Sequence, residues 1–436
     1  MTNTNELLDA MRSETLALEG GAPVITHEFP RYNSLGKEEQ DAVQKVMESG
    51  VLSQFLGCWH DDFYGGSKVQ AFEAQCADYF GVKHAITVNS WTSGLIAAVG
   101  ALDIEPGDEI IVTPWTMCAS ATAILHWNAI PVFADIDPQT FNLDPESVRR
   151  NISEKTRAIM AVDIFGQSAD MEALRAIADE FNLKIISDTA QAPAAKYKGK
   201  WAGTLGDIGG YSLNYHKHIH TGEGGVVVTN DDALAERVRL IRNHAEAVLP
   251  DREAMPINNM LGYNFRLGEI ECAIGMEQLK KLNGLVESRR ALAERLAAGI
   301  CELPGLSVPY VADGNTHVYY VFPLLVDPDV AGVSKFEIAE ALKAEGVILA
   351  TQYQNLHLLP MYQQKTAYGT SGFPWSAEFT RQDISYEKGI CPVAEDMNDR
   401  TYLGFGMCTY DLTESDVDLI IRAFHKVWAH KVEMSR

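Results

Sequence analysis

Short apolar runs alternate with segments of helical periodicity from residue 67 to residue 229, and this alternation restricts the possible folds most. In the segment 67–80, Val69, Phe72 and Cys76 recur at helical spacing, and an apolar run over 84–88 follows directly. Parallel strands need helical crossovers between them, whereas antiparallel strands can be joined by short turns. The sequence therefore predicts an α/β fold with a mostly parallel central sheet.

The same analysis predicts the other elements of this layer. Further helices are expected at 93–102, 118–127 and 170–181. Strands are expected at 84–88, 109–112, 130–134, 158–163, 184–187, 208–213 and 226–229.

The last third of the chain has a different organisation. A long charged helix over 266–298 is expected to leave the sheet layer, and a strand–helix–strand pattern, a stretch rich in Pro, Gly and Tyr and a final helix at 413–431 follow it. We therefore predict a large domain over 1–285 and a smaller C-terminal α/β domain over 286–436. Residues 1–50 are expected to form an N-terminal arm that packs on the smaller domain.

The chain is strongly acidic, which restricts its partners. Its 36 Lys and Arg residues against 59 Asp and Glu residues give a formal net charge of −23. Such a chain has no general attraction for nucleic acid phosphates or anionic lipid heads, so we expect neither partner. An anionic ligand must be held by a local site that works against this field.

Targeting and cysteine patterns indicate a cytoplasmic protein. No apolar run reaches the ~18–20 residues that a membrane-spanning helix needs. The opening sequence MTNTNELLDAMRSE lacks the basic and apolar regions of a secretory signal. The seven cysteines are scattered and form no CxxC pair, which argues against structural zinc and against a disulfide framework.

The segment VNSWTSG (88–94) joins a predicted strand to an apolar helix. Small hydroxyl residues and a glycine at a helix start can hold an anion, because free N–H groups and the positive helix end point at it. Ordinary capping of the helix by Ser90 or Thr92 explains the same residues. Taken alone, the segment leaves phosphate binding and capping both open.

Two charged residues follow later in the same layer. Asp188 comes at the end of an apolar strand, and the carboxyl ends of parallel strands face the crevice in which open α/β sheets bind ligands. Helix capping is the alternative role for this carboxylate. Lys217 lies in SLNYHKHIHTGEGG (212–225), and a buried lysine loses its proton and becomes a nucleophile. A phosphate cradle, an anion and an amine are the parts that pyridoxal 5'-phosphate requires.

Three histidines, at 216, 218 and 220, flank Lys217. Along an extended strand their alternation would place all three on one face, as a metal site needs. Because Lys217 already takes the active position, we favour local packing and hydrogen bonding for the histidines and predict no metal site.

Six motifs along the chain resemble those of the DegT/DnrJ/EryC1/StrS aminotransferases. They are LEGGAPV (18–24), PGDEIIVTP (106–114), DTAQA (188–192), KHIHTGEGG (217–225), GYNFRLGEI (262–270) and CPVAE (391–395). The resemblance extends over nearly the whole chain. It implies a fold-type I enzyme whose large domain binds pyridoxal 5'-phosphate, and amino-sugar biosynthesis from nucleotide-linked keto-sugars or from cyclic ketones such as inososes.

The resemblance also implies roles around the cofactor ring. Lys217 resembles the lysine that forms the Schiff base. Asp188 resembles the partner of the pyridine nitrogen, and Gln191 resembles the group that contacts the ring oxygen.

Phosphate binding is implied for a second set of residues. Trp91 and Thr92 fall at the family's phosphate site, and Ser212 is expected to assist them. Asn264 falls where the neighbouring subunit reaches the same phosphate. The resemblance therefore implies an obligate homodimer with shared active sites.

Three positions depart from the usual family pattern. The aromatic ring that the family stacks on the cofactor is expected four residues after the Pro of the TP turn, where this chain has Cys118. Cys118 is the candidate ring contact, with Trp115 or Trp91 as alternative stacking groups. Asp163 stands where many members carry His, and His220 where Thr is common.

Two segments, 52–67 and 353–376, are candidates for the substrate pocket. Trp59 in the first segment and Tyr353 and His357 in the second are the candidate substrate residues. Either segment could equally be a packed loop, and the sequence leaves this open.

The resemblance implies an aminotransferase that moves an amino group from L-glutamate or L-glutamine to the ketone acceptor. A sugar dehydratase or lyase on the same fold is the first alternative, but family members that eliminate water carry His at the position of Lys217. A non-catalytic regulator that merely binds the cofactor is the second alternative. A dehydratase would release a deoxy-keto sugar without net transfer of nitrogen, and turnover with an amino donor would exclude the regulator.

Overall fold

The computed structural model describes residue 8 and residues 11–251 and 257–434. Residues 1–7 and 9–10, at the start of the predicted N-terminal arm, lie outside the described part of the chain. The strands are β1 (His84–Val88), β2 (Glu109–Val112), β3 (Ile130–Phe133), β4 (Thr156–Val162), β5 (Lys184–Asp188), β6 (Lys196–Tyr197), β7 (Lys200–Trp201), β8 (Ile208–Ser212), β9 (Gly225–Thr229), β10 (Leu306–Ser307), β11 (Phe322–Val326) and β12 (Tyr402–Phe405). The α-helices are Lys37–Ser49, Ser67–Phe80, Trp91–Ala101, Ala119–His126, Pro145–Arg150, Met171–Phe181, Asp232–Arg242, Ala245–Val248, Glu269–Ile300, Pro328–Ala331, Lys335–Ala344, Pro360–Gln363, Pro392–Asp396 and Glu414–Met434.

The largest sheet has seven strands in the order β1-β9-β8-β5-β4-β2-β3. β9 is antiparallel to both of its neighbours, and all other neighbouring pairs are parallel. Six of the seven strands therefore run in one direction, and their carboxyl ends meet at one edge of the sheet. This topology confirms the predicted α/β fold with a mostly parallel central sheet.

Both faces of this sheet are covered, which explains its almost continuous apolar strands. In β2, Ile110 and Val112 pack into one hydrophobic cluster, whereas Ile111 packs into a cluster on the opposite face. The helix Trp91–Ala101 contributes to the first cluster, and the helix Met171–Phe181 contributes to the second. Alternate side chains of one strand thus contact helices on opposite sides.

A second sheet joins β10, β11 and β12 in antiparallel register. Its hydrophobic cluster includes residues of the helices Lys335–Ala344 and Glu414–Met434 and the end of Glu269–Ile300. Leu16 and Ile25 of the N-terminal segment pack into the same cluster. One continuous helix, Glu269–Ile300, passes through the predicted domain boundary at 285/286, and that boundary stays a prediction.

The Pro-, Gly- and Tyr-rich segment folds back onto the large sheet. Leu356, Tyr362 and Trp375 belong to the hydrophobic cluster of that sheet. Near the edge strand β3, the Tyr386 hydroxyl donates to the carbonyl oxygen of Pro131 at 2.8 Å, so the segment covers this edge.

Some predicted boundaries shift for local reasons. The helix expected at 93 begins at Trp91 because Ser90 caps it. In the apolar run 319–326, strand β11 begins only at Phe322. Tyr319 has a φ of 52°, which interrupts an extended conformation. Residues 213–224 form turns and bends rather than an extended strand, so the three histidines do not share the face that strand alternation would create.

No helix among the described residues is long and apolar enough to cross a membrane.

Candidate active site

The predicted cofactor residues lie at the carboxyl edge of the large sheet. Trp91 begins the helix after β1, Asp188 ends β5, and Ser212 ends β8. Lys217 lies in the loop that follows β8, and this loop returns to the same edge as β9 begins at Gly225. The parallel topology therefore brings together four residues that are far apart in the sequence.

Two side chains hold the carboxylate of Asp188. The indole N–H of Trp91 donates to Oδ1 at 2.7 Å, and the hydroxyl of Ser120 donates to Oδ2 at 2.7 Å. Asp188 is only 4% exposed, so both donors are needed to satisfy a buried charge. Oδ1 also accepts the backbone N–H of Ala190 at 3.3 Å, whereas Oδ2 retains a further lone pair that can accept a hydrogen bond from a ligand. The sequence analysis did not identify Ser120, and its place in the first turn of the helix Ala119–His126 was the available signal.

Lys217 is a buried amine next to this carboxylate. Its side chain is largely shielded from solvent, and burial lowers the pKa of Lys217 to about 8, although the negative charge of Asp188 opposes the shift. The Nζ atom lies 4.2 Å from the centroid of the Tyr320 ring. A lysine with this pKa is partly neutral near pH 8, and the neutral amine is the nucleophilic form. Tyr320 was not predicted, because it comes from a segment about a hundred residues away.

Gln191 and Tyr353 are neighbours in the fold. The side-chain carbonyl of Gln191 accepts a hydrogen bond from the backbone N–H of Phe165 at 2.9 Å, and its amide donates to the Tyr353 hydroxyl at 3.2 Å. Burial raises the pKa of Tyr353 to about 12, so this hydroxyl keeps its proton. Phe165 has a φ of 58°, a sparsely populated conformation for a large side chain. The network aligns a predicted cofactor residue with a predicted substrate residue.

The helix that begins at Trp91 has two free backbone donors. The Ser90 hydroxyl accepts the N–H of Ser93 at 3.0 Å, which confirms Ser90 as the helix cap. The N–H groups of Trp91 and Thr92 have no acceptor within the helix, because they belong to its first turn. A Cβ atom at Gly225 would lie 2.9 Å from the backbone nitrogen of Trp91, so glycine lets β9 approach this helix start closely. Capping and anion binding are therefore compatible here.

A second buried carboxyl lies beside Asp188. Burial raises the pKa of Asp163 to about 7, although hydrogen bonds from Thr189 and Ala169 oppose the shift. The Thr189 hydroxyl donates to Oδ2 at 2.6 Å, and the Ala169 N–H donates to Oδ1 at 2.8 Å. Near neutral pH a fraction of the Asp163 carboxyl groups is protonated, which limits the repulsion between the two carboxyl groups.

Two other predicted residues lie apart from this cluster. His357 is fully buried, and its Nε2 lies 2.8 Å from Oε1 of Glu395, so its contacts are those of a core residue. Trp59 is 39% exposed and packs against Phe63 and Tyr64. The carbonyls of Leu56 and Phe63 accept hydrogen bonds from the Asn243 side chain, which anchors part of the segment 52–67 as a packed loop.

Asn264 and Cys118 occupy the margins of the site. Asn264 is exposed, and its backbone carbonyl accepts a hydrogen bond from the Asn89 side chain at 3.1 Å. Cys118 is half-buried at the start of the helix Ala119–His126, and the preceding Met117 is 63% exposed. Whether either side chain contacts a cofactor stays a prediction.

The histidines near Lys217 have local partners. His218 is buried, and its Nε2 lies 2.8 Å from the carbonyl oxygen of Val318. The Nδ1 atom of His220 accepts a hydrogen bond from the backbone N–H of Gly222 at 3.3 Å. Among the described residues, no group of three or more His, Cys, Asp or Glu side chains is arranged to hold a metal ion.

Comparison with known proteins identifies a family. The model of the DegT/DnrJ/EryC1/StrS aminotransferase family matches residues 33–400. A GDP-perosamine synthase from Caulobacter vibrioides is 32% identical over 93% of this chain and 98% of its own length. An L-glutamine:2-deoxy-scyllo-inosose aminotransferase from Micromonospora echinospora is 31% identical over 96% of this chain and 99% of its own length.

A solved structure of an aminotransferase-fold protein also resembles this chain along most of its length. The S. venezuelae protein DesV, determined in complex with a ketimine intermediate, superposes with a TM-score of 0.75 and 29% identity. The match covers 92% of this chain and 99% of that one. The fold-type I architecture expected from the sequence is therefore confirmed.

Proposed function

The chain belongs to the DegT/DnrJ/EryC1/StrS aminotransferase family and is an aminotransferase, and on that basis we propose that it makes an amino sugar or aminocyclitol. The amino donor is L-glutamate or L-glutamine, and the acceptor is a nucleotide-linked keto-sugar or an inosose-like cyclic ketone. The observation that carries the proposal is the buried Lys217 amine beside Asp188, at the edge where the helix Trp91–Ala101 begins. The names of the two relatives support the two acceptor classes, one each.

The residues of the site fit pyridoxal 5'-phosphate. When bound, this group supplies an aldehyde that bonds to amines and a ring that withdraws electrons from them. Asp188 is held by two side-chain donors and by the Ala190 N–H, and its Oδ2 has a lone pair left for the ring nitrogen. The free N–H groups at the start of the helix Trp91–Ala101, with Ser212 at the end of β8, suit the phosphate.

Lys217 has two tasks in this proposal. It holds the aldehyde until the donor amine takes its place, and the freed Nζ then moves a proton. A pKa of about 8 suits both tasks, because the amine exchanges its proton readily near neutral pH. Gln191 approaches the ring oxygen, and its hydrogen bond to Tyr353 fixes its orientation.

We also propose that the chain forms a homodimer and that it works in the cytoplasm. Asn264 is exposed next to Asn89, two residues before the helix that begins at Trp91, where it can serve the site of a neighbouring subunit. All seven cysteines are free thiols, which fits a reducing compartment. Co-expression of Lys217→Ala chains with Asn264→Ala chains tests the shared site. Hybrid dimers should regain activity in one of their two sites, whereas a monomeric enzyme would show no recovery.

Absorbance spectroscopy tests the proposed function. The purified chain with pyridoxal 5'-phosphate should show a yellow band that L-glutamate or L-glutamine bleaches and that Lys217→Ala abolishes. Keto-sugars and inososes should then restore the band, and the acceptor that does so names the substrate class. A chain that shows no band with added cofactor would contradict the proposal.

The same experiment must distinguish dehydration of the sugar from transfer of an amino group. A band that neither donor bleaches, together with release of a deoxy-keto sugar without nitrogen transfer, would indicate a lyase. Lys217 at the position where dehydrating members carry His argues against this result. Cofactor binding without any turnover would indicate a regulator.

A further inference from the structure

The loop that carries Lys217 has no regular secondary structure of its own. Residues 213–224 form turns and bends, and the Lys217 N–H donates to the carbonyl of Asn214 at 3.0 Å. Such a loop lacks the repeating hydrogen bonds of a helix or strand, so contacts with other parts of the chain must hold its backbone in place. The position of the Lys217 amine therefore depends on those contacts.

The residue after Lys217 is held at both its backbone and its side chain. The Tyr32 hydroxyl donates to the backbone carbonyl of His218 at 2.7 Å. The His218 ring is fully buried, and its Nε2 lies 2.8 Å from the carbonyl oxygen of Val318, which can only accept a hydrogen bond. The Cys408 sulfur lies 3.7 Å from the same nitrogen. One residue beyond Lys217, the loop is thus tied to distant parts of the chain.

Tyr32 is itself fixed by two contacts. Its backbone N–H donates to the carbonyl of Thr409 at 3.0 Å. The guanidinium carbon of Arg289 lies 4.6 Å from the centroid of the Tyr32 ring, within the range of a cation–π interaction. Arg289 is only 6% exposed and belongs to the long helix Glu269–Ile300. The backbone and the ring of Tyr32 are therefore both held while its hydroxyl contacts the loop.

A buried glutamine holds the same loop two residues further on. Gln278 is fully buried, and its side-chain oxygen accepts the backbone N–H of His220 at 3.3 Å and the hydroxyl of Ser34 at 2.6 Å. Its amide nitrogen donates to the carbonyl of Ser34 at 2.9 Å. The N-terminal residues 32–34 thus reach the loop directly at His218 and through Gln278 at His220.

The chemistry of the amine depends on where the loop lies. The Nζ atom of Lys217 lies 4.2 Å from the centroid of the Tyr320 ring, and burial lowers the pKa of Lys217 to about 8. If the loop moved outward, water would stabilise the ammonium form and raise this pKa. The neutral, nucleophilic amine would then become scarcer near neutral pH.

We propose that Tyr32 is a positioning residue for Lys217, and that its hydroxyl holds the loop in the conformation that keeps the amine buried beside Asp188. Tyr32 acts through the backbone of His218 rather than on a reacting atom. The inference rests on the proposed function in one respect, namely that Lys217 is the amine that takes the aldehyde. The sequence analysis gave Tyr32 no role.

Competitive acylation of the full chain without cofactor tests the inference. Trace acetic anhydride labels neutral amines, and mass spectrometry of the peptide that contains Lys217 gives the labelled fraction at each pH. In the unmodified chain the labelling midpoint should lie near pH 8. Tyr32→Phe keeps the ring against Arg289 and removes only the hydroxyl, so its midpoint should rise by about half a unit to one unit, the shift that corresponds to one hydrogen bond. Asp188 and Cys408, whose charges also act on Lys217, stay unchanged.

Tyr386→Phe is the matched control, because it also removes a tyrosine hydroxyl that donates to a backbone carbonyl. That hydroxyl contacts Pro131 at 2.8 Å in β3, which lies four strands from β8 in the large sheet. The control should lower the unfolding temperature, since the indole N–H of Trp375 also loses its acceptor. It should nevertheless leave the labelling midpoint of Lys217 where it is in the unmodified chain.

An unshifted midpoint in Tyr32→Phe would overturn the inference, whatever its unfolding temperature. An equal shift in Tyr386→Phe would overturn it too, because loss of stability alone would then explain both variants. So would a midpoint near 10.5 in the unmodified chain, since the amine would not be buried. Failure of the proposed function would appear separately, as a chain that shows no yellow band with pyridoxal 5'-phosphate. Acylation decides the inference in that case as well, because it is measured without the cofactor.

Discussion

Burial and charge act on individual residues at the candidate active site. Lys217 is deprived of water, so its ammonium form is destabilised, while the nearby Asp188 partly offsets this effect. The net result is an amine whose pKa, about 8, lies well below that of an exposed lysine.

The first prediction concerns the pH dependence of cofactor attachment. Neutral lysine attacks the aldehyde, so the attachment rate of pyridoxal 5'-phosphate to the cofactor-free chain should rise with pH and level off above about 8. Stopped-flow absorbance measures this rate, and Lys217→Ala corrects for surface lysines. A rate that still rises steeply towards pH 10.5 would show that the amine is not perturbed.

The second prediction concerns the donors to Asp188. Ser120→Ala removes one of the two side-chain hydrogen bonds to a buried carboxylate, which costs about 1–3 kcal/mol. We expect kcat/KM to fall about tenfold or more, because the carboxylate loses its orientation. Thr122→Ala, two residues further along the same helix and exposed, should leave kcat/KM unchanged. Equal activity of the two variants would refute the role of Ser120.

At the scale of elements, a glutamate at the start of one helix caps the start of another helix. Glu269 begins the helix Glu269–Ile300, and its buried carboxylate accepts the N–H of Lys68 at 2.9 Å and the N–H of Val69 at 3.3 Å. The helix Ser67–Phe80 therefore receives its cap from a residue about two hundred positions later, because Gly66 has no side chain to offer. A negative charge at this helix end also interacts favourably with the helix dipole.

The third prediction follows from this cap. Glu269→Gln should lower the free energy of unfolding by about 1–2 kcal/mol, since the amide loses the charge and one acceptor. Urea denaturation measures the change. Glu287→Gln alters an exposed glutamate of the same helix and should change stability by less than about 0.5 kcal/mol. A Glu269→Gln chain as stable as this control would rule out the cap.

At the scale of the whole molecule, a buried ion pair joins the N-terminal segment to the second sheet region. Glu345 and Lys426 are almost fully buried, and Lys426 Nζ lies 2.9 Å from Glu345 Oε1. The same carboxylate accepts the N–H groups of Ala17 and Val24. The path of the N-terminal segment along the second sheet region thus depends on one carboxylate.

The fourth prediction tests this buried ion pair. Lys426→Met leaves the buried Glu345 carboxylate without its counter-ion and should cost about 3–5 kcal/mol of unfolding free energy. Limited proteolysis should then cleave within residues 11–32 faster than in the unmodified chain. The double variant Glu345→Gln with Lys426→Met should recover part of the stability, because no unpaired charge remains. A double variant less stable than the single one would contradict this explanation.

Much of the architecture was predictable because its causes are local. The spacing of apolar residues predicts a helix at 67–80 and a strand at 84–88, because it depends on neighbours only a few residues apart. The observed helix and strand have those bounds. The positions of Asp188 at the end of β5 and of Lys217 in the loop after β8 follow from the same pattern, since parallel strands present their carboxyl ends at one edge.

Pairings between distant residues were not predictable. The spacing of apolar residues along the chain carries no information about which residue pairs with a buried charge or which aromatic ring contacts an amine. Ser120 was missed for this reason, and so was Tyr320. For the same reason His357 could be taken for a substrate residue, although the fold buries it against Glu395.

The sequence by itself determined the order of helices and strands, the class of the sheet and the edge at which the candidate site lies, because periodicity acts over short stretches of chain. Only the tertiary structure decided the partners of Asp188 and Lys217 and the return of the segment after 355 onto the large sheet. Those features depend on residues tens to hundreds of positions apart, and they exist only once burial has brought the residues together.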